Sequence, residues 1–336
     1  MPRPTIIEAR KDVRGDTPSA ARPFLKWAGG KQQLLPALLE AMPSSFNRYF
    51  EPFLGGGAFF FALAGERAPL RAVLGDANAD LIATYEVVRD HLDALCAHLA
   101  RLEGEYHAED AEGRAAAYYR IRESRPTSKL GVAARFIFLN KTCYNGLYRV
   151  NSNGRFNVPH GRYKAPRILD RPVLEAASRA LADAELACDD VEITSASAVA
   201  GDFVYFDPPF HPLSPTSSFT RYTSADFGWR DQERLRVCID GLTARGVHVL
   251  LSDSPHPLIV YLYESAGYEL RRIPARRAIN SKVGGRGPID ELLVSNAPLL
   301  GRRPVRRPSR PRRPARAAAE VARARAGQPP ATLPPR

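Results

Sequence analysis

Tyr49-Phe50-Glu51-Pro52-Phe53-Leu54-Gly55-Gly56-Gly57 is the stretch on which the fold turns. Its aromatic start reads as a strand, the three glycines as a tight turn, and residues 58–64 as the opening of a short helix. A strand that passes through glycines into a helix is a unit of a doubly wound α/β sheet, in which the bare backbone can approach a ligand closely. Asp76 ends a second expected strand, residues 72–76, and a helix-like run, residues 79–88, follows. An acid at that point of a nucleotide-binding sheet accepts hydrogen bonds from ribose hydroxyls. Alone, the pair fits any nucleotide-like cofactor, and equally a tight turn beside a surface aspartate.

Working outward, residues 203–206, 247–252 and 291–295 read as three more strands. Strands alternating with helices predict a mostly parallel, doubly wound, Rossmann-like sheet. The middle of the chain differs. Residues 92–139 read as several helices, and residues 145–165 as turns. Asn153-Gly154 between Tyr148-Arg149-Val150 and Arg155-Phe156-Asn157-Val158 predicts a hairpin. The expected domains are a variable segment 1–20, an α/β domain formed by 21–90 and 185–298, a helical and hairpin insert 91–184, and a tail 299–336. That tail is arginine, proline and alanine with almost no large apolar residue, a composition expected to be disordered.

The net charge is +12. Residues 301–336 hold eleven arginines and one acid, Glu320, so they carry +10; residues 1–20 carry +1, which leaves about +1 for the body. Local charge is more informative than the sum. Residues 124–169 contain no acid and carry nine bases, from Arg125 to Arg167. Residues 270–289 contain no acid and carry Arg271, Arg272, Arg276, Arg277, Lys282 and Arg286. Two such segments in a nearly neutral body point to a face meant for a polyanion. No apolar run reaches the roughly 18 residues of a membrane span, and the N-terminal residues lack a secretory apolar stretch. Cys96, Cys143, Cys188 and Cys238 lie far apart, without metal-ligand spacing. A cytoplasmic, nucleoid-associated chain with free thiols, no membrane contact, no metal and no obligate protein partner is expected.

Asp207-Pro208-Pro209-Phe210 follows the strand 203–206. Ligands of doubly wound sheets sit beyond the carboxyl ends of strands. Two prolines fix φ and remove two N–H donors. A rigid run of acceptors remains beside an aromatic face, which suits an amino group and suits a phosphate poorly. Alone, the strip is equally a strand terminator with a capping aspartate. Pro23-Phe24-Leu25-Lys26-Trp27-Ala28-Gly29-Gly30-Lys31 lacks the spacing and the terminal hydroxyl of a phosphate-binding P-loop.

Together these segments resemble the Dam-type, D12-like class of DNA adenine-N6 methyltransferases, in order, over about residues 23–297. Residues 24–31 and 51–57 resemble its two cofactor motifs, and Asp76-Ala77-Asn78 its ribose-binding acid. Residues 140–166 resemble its target-recognition hairpin. Residues 207–210 and Ser218-Phe219-Thr220-Arg221-Tyr222 resemble its catalytic strip and the segment after it. The family usually ends the strip in Tyr, where this chain has Phe210; the ring face is kept and the hydroxyl lost.

The resemblance implies S-adenosyl-L-methionine as methyl donor and double-stranded DNA as partner. It implies N6 of a flipped-out adenine as acceptor, with GATC the favoured site and restriction-modification among the possible settings. By the same resemblance, Asp207, Pro208, Pro209 and Phe210 are catalytic. Trp27, Lys31, Glu51, Phe53, Gly55, Asp76 and Asp207 line the cofactor site. Lys26, Tyr144, Asn145, Leu147, Arg149, Pro159, Tyr163 and Lys164 meet DNA. Competing readings are an N4-cytosine enzyme, which commonly shows Ser where Asp207 stands, a protein-glutamine enzyme, which shows Asn, and a non-catalytic DNA-binding protein on the same fold.

Overall fold

The computed structural model describes residues 20–67, 69–210, 227–276 and 288–299. Its seven strands are β1 (Tyr49–Glu51), β2 (Ala72–Gly75), β3 (Ala184–Ala187), β4 (Phe203–Phe206), β5 (His248–Asp253), β6 (Glu269–Arg276) and β7 (Pro288–Ser295). They form one sheet in the order β3-β2-β1-β4-β5-β7-β6. The pairs among β1 to β5 are parallel. β7 runs antiparallel to β5, and β6 antiparallel to β7. The expected parallel, doubly wound α/β sheet is present, with an antiparallel edge added. β3 and β6 escaped the sequence reading because both are edge strands. β6 is Glu-Leu-Arg-Arg-Ile-Pro-Ala-Arg, and its charge and Pro274 are tolerated only where one side of the ladder is unpaired.

The pleat sends alternate residues of the central strands to opposite faces. Phe203 and Tyr205 of β4, Tyr49 of β1, Leu250 of β5 and Leu293 of β7 join one buried cluster. Val204 and Phe206, Phe50, Leu251, Leu292 and Val294 join the other. Both faces are therefore covered, which accounts for the continuous apolar sequence of β4.

On the first face lie α1 (Leu35–Ala41), α2 (Ala58–Glu66), α3 (Ala79–Asp90), α4 (Leu92–Ala108), α5 (Ala111–Glu123), α6 (Lys129–Thr142) and α7 (Arg171–Leu181). Leu95, Leu99, Tyr106, Tyr118 and Phe138 of the middle helices belong to the same cluster as Phe59 and Tyr205. The helices expected at 92–139 are thus continuous with the sheet's own core. Side chains cap three of them: Asn78 accepts from Leu81 N, Asp110 from Glu112 N and Gly113 N, and Ser128 from Gly131 N. On the second face lie α8 (Val191–Ser195), α9 (Trp229–Ala244) and α10 (Pro257–Glu264).

The hairpin forms as a single bridge, Val150 opposite Phe156. Asn157 N donates to Arg149 O and Asn151 N to Arg155 O, while Gly154, at φ +69°, closes the turn by donating to Asn151 O. A second bridge, Cys143 opposite His160, ties the two ends of the segment together. The segment 218–222, the tail 301–336 and residues 1–19 lie outside the described residues.

Candidate active site and nucleic-acid interface

β4 is buried along its length and releases the chain at Asp207, beyond its carboxyl end. There the Asp207 carboxylate meets two donors. Lys31 Nζ lies 2.8 Å from Oδ1. The hydroxyl of Ser252, near the end of β5, donates to the same oxygen at 2.9 Å, and lies 2.8 Å from the Tyr205 hydroxyl. Lys31 Nζ also donates to Gly29 O, stands 3.6 Å from Glu291 Oε2 on β7, and lies 4.6 Å from the centre of the half-exposed Phe210 ring. Pro208 is buried and Pro209 partly so.

Among the described residues, this ground is rich in buried carboxylates and has one lysine. Burial pushes Glu51 up to about 8, although the Tyr49 hydroxyl (2.7 Å) and Phe60 N–H (3.1 Å) donate to it. Burial likewise pushes Asp253 up to about 7. It raises Asp207 and Glu291 despite Lys31, because each has the same single ammonium to share. For Lys31 the balance is reversed. Burial lowers its pKa, but Asp207, Glu291 and Asp253 together more than offset that, so the ammonium stays charged.

A pH dependence of stability follows from Glu51. Its folded pKa lies above its unfolded one, so the stability it contributes is complete below about pH 4.5 and is lost as pH rises through about 8. Relative to wild type, Glu51→Gln is expected to gain about 2–4 kcal/mol between pH 5 and pH 9, read by denaturant melts of the cofactor-free protein. Equal pH slopes in the two proteins would remove the buried, protonated Glu51 from the account.

The glycine turn lies beside this cluster. Gly55 N donates to Asp76 Oδ2 at 3.0 Å, and Asn78 N to Asp76 Oδ1 at 2.9 Å. Burial pushes Asp76 up to about 6 against those two bonds. Tyr85 holds Gly55 O with its hydroxyl. Phe53 packs edge-on against Phe206 and Phe227. The reason for glycine at 55 and 56 is a protein contact. A Cβ at Gly55 would stand 2.7 Å from Trp27 Nε1, and one at Gly56 3.0 Å from Trp27 Cβ. The Trp27 ring packs against this turn and stacks on Tyr148 and Phe136.

The loop 24–31 therefore joins two regions. Lys31 reaches Asp207, Trp27 covers the turn, and Lys26 faces the hairpin segment. Asn140 accepts from Lys26 N and donates to Lys26 O and Gly146 O, fixing the loop to the end of α6. Lys26 Nζ lies over the Tyr163 ring, and its chain packs against Gly146, at φ +65°. Tyr144 is 52% exposed, and its N–H donates to Pro159 O, so these two surface residues are neighbours. Asn145 takes the left-handed φ of 56°. Leu147 is half-buried and its carbonyl accepts from the Cys143 thiol. Arg149 Nε donates to Asn157 Oδ1 across the hairpin at 2.8 Å. Lys164 is exposed.

Sequence reasoning missed Ser252, Asp253, Tyr205 and Glu291. Ser252-Asp253 at a strand end was a usable signal. Glu291 had none, since only the antiparallel edge brings it here. Among the described residues no cluster of three or more His, Cys, Asp or Glu could hold a metal ion, and no helix is long and apolar enough to cross a membrane.

Residues 27–279 match the family of D12 class N6 adenine-specific DNA methyltransferases. The chain belongs to this family. The methyltransferase is 42% identical over 287 residues to the Type II methyltransferase M.MjaIII of Methanocaldococcus jannaschii, covering 82% of this chain and 99% of that one. It is 41% identical over 285 residues to the Type II methyltransferase M1.LlaDCHI of Lactococcus lactis subsp. cremoris, covering 82% and 95%. It is 34% identical over 279 residues to the DNA adenine methylase of Escherichia coli, covering 82% and 96%. As an adenine-specific DNA methyltransferase, it acts on a substrate that matches the acid-free, basic stretch of the middle region.

Proposed function

We propose that the methyltransferase transfers a methyl group from S-adenosyl-L-methionine to N6 of adenine in double-stranded DNA, at GATC, after flipping the base out of the helix. The carrying observation is the Asp207 carboxylate at the open end of β4, beside an exposed Phe210 ring. The charge of the site fits the donor. S-adenosyl-L-methionine brings a sulfonium and an ammonium, and the described part of the site gathers Asp207, Asp253 and Glu291 around Lys31, with Glu51 coupled to Asp207. Trp27, Lys31, Glu51, Phe53, Gly55, Asp76 and Asp207 would hold it, with the Asp76 carboxylate suited to a pair of ribose hydroxyls. When bound, it supplies an electrophilic methyl carbon.

The chain's own groups prepare the amine. The adenine amino lone pair is conjugated with the ring and is a poor nucleophile. The Asp207 carboxylate and the Pro208 carbonyl each accept one N–H, which favours a pyramidal nitrogen and offsets the positive charge growing on it. Pro209 keeps the strip rigid, and Phe210 offers a face for the extruded base. Lys26, Tyr144, Asn145, Leu147, Arg149, Pro159, Tyr163 and Lys164 form the DNA face, on the target-recognition insert 91–184 and the loop before α1. The α/β domain of 21–90 and 185–298 carries the chemistry. The preference for GATC rests on the resemblance of residues 144–164 to the family's recognition hairpin.

Asn157 orients the Arg149 guanidinium through Nε, and the fork beyond it suits the O6 and N7 of guanine. Arg149→Ala is expected to cost about 1–3 kcal/mol of discrimination at one base pair, measured as relative kcat/KM on singly substituted sites. An unchanged site preference would reject that role. The reading as a whole is tested by mapping modified bases in genomic DNA from cells expressing the protein. N6-methyladenine within GATC supports it. Methylcytosine would overturn the target base, N6-methyladenine elsewhere would overturn only the site, and unmodified DNA would overturn the enzyme.

A further inference from the structure

Lys31 stands at the carboxylate assigned above to the target amine. Its ammonium is bound to Asp207 Oδ1 at 2.8 Å and lies 4.6 Å from the Phe210 ring centre. One cation thus holds one oxygen of the acceptor and lies over the ring assigned above to adenine. A charged group 5% exposed does not leave a carboxylate partner unless another is waiting, because an unpaired buried charge is strongly unfavourable.

Glu291 is such a partner. Its Oε2 stands 3.6 Å from Lys31 Nζ, within ion-pair range and beyond a hydrogen bond, and that oxygen is buried without a hydrogen-bond partner. A buried acceptor left unmatched is destabilising, so its place beside the lysine calls for an explanation. Closing 3.6 Å to the 2.8 Å of the Asp207 pair needs a movement of 0.8 Å (3.6 minus 2.8). The bond from Lys31 to Gly29 O can act as the pivot. Glu291 sits on β7, whose register against β5 sets Leu292 opposite Asp253, so its carboxylate is held at the strand ends by the sheet rather than by a loop.

We propose that Glu291 is a positioning residue that takes over the Lys31 ammonium when the target amine takes Asp207. The exchange is pair for pair: Lys31 passes from one carboxylate to the other, and Asp207 and the Phe210 ring become available to the base. This rests on the reading of Asp207 as the acceptor of the amine.

The test places 2-aminopurine at the target adenine of a duplex carrying the mapped site. Base extrusion is read by fluorescence with the full chain and S-adenosylhomocysteine. Glu291→Gln keeps the shape and removes the charge. Its extruded fraction at equilibrium is expected to fall about tenfold, with an unchanged melting midpoint. Glu291→Asp, which restores the charge one methylene further back, is expected to recover part of the loss. In a Lys31→Met background the Glu291→Gln change is expected to have no effect, since no ammonium remains to be handed over; Lys31→Gln serves as a second background. Wild-type extrusion in Glu291→Gln, or a tenfold loss that persists in both Lys31 backgrounds, overturns the proposal. Asp207→Asn is scored separately for methyl transfer. If it methylates normally, the reading of Asp207 itself has failed, whatever Glu291 does.

Discussion

Asp207→Ala is expected to lower the single-turnover rate of methyl transfer by at least about a hundredfold to a thousandfold, the scale on which a preorganised charge contact contributes to a transition state. DNA affinity is expected to stay near wild type, because Lys26, Tyr144, Arg149 and their neighbours lie on the hairpin side of the loop 24–31 and not on β4. The fold is expected to survive as well. Lys31 loses its partner at 2.8 Å but keeps Glu291 at 3.6 Å, so its charge is not stranded. Tritiated-methyl incorporation and DNA binding measured on the same preparation separate the two effects. Normal incorporation would remove Asp207 from the chemistry. Equal loss of binding and rate would make it a structural residue.

Gly55→Ala is expected to destabilise by about 2–4 kcal/mol. Two causes add. The backbone at φ +48° is costly for any residue with a Cβ, by roughly 1–2 kcal/mol. The new methyl would also stand 2.7 Å from Trp27 Nε1, so the ring has to move off the turn and out of its stack with Tyr148 and Phe136. Gly29→Ala separates the two. It has a φ of +78° with nothing within 4 Å of the added carbon, so only the backbone cost of about 1 kcal/mol is expected. Denaturant melts of both variants, with calorimetric titration of S-adenosyl-L-methionine, decide the matter. If the two lose equal stability, the contact with Trp27 is not what demands glycine.

The Asp207-Pro208-Pro209-Phe210 strip and the glycine turn were legible because each is local. Both are encoded within a few residues, by prolines, glycines and an apolar strand before them. β4 was found to the residue because it is apolar on both faces. β6 was missed because an edge strand has to satisfy only one ladder and can be half charged. The hairpin was legible from Asn153-Gly154, while the bridge from Cys143 to His160 that closes its base was not, since it pairs residues on either side of the whole segment.

From its sequence alone, this protein's doubly wound fold class, the Asp207-Pro208-Pro209-Phe210 strip and the likeness to adenine methyltransferases could be determined, because strand and helix periods and short motifs are properties of neighbouring residues. The tertiary structure alone decided what the opening glycines are for, since Trp27 reaches Gly55 and Gly56 from a separate loop. It alone set Lys31 between Asp207 and Glu291. That meeting depends on strand order, which brings the loop before α1, the end of β4 and the antiparallel β7 together beyond the carboxyl end of β4, and strand order is set by the packing of the whole core.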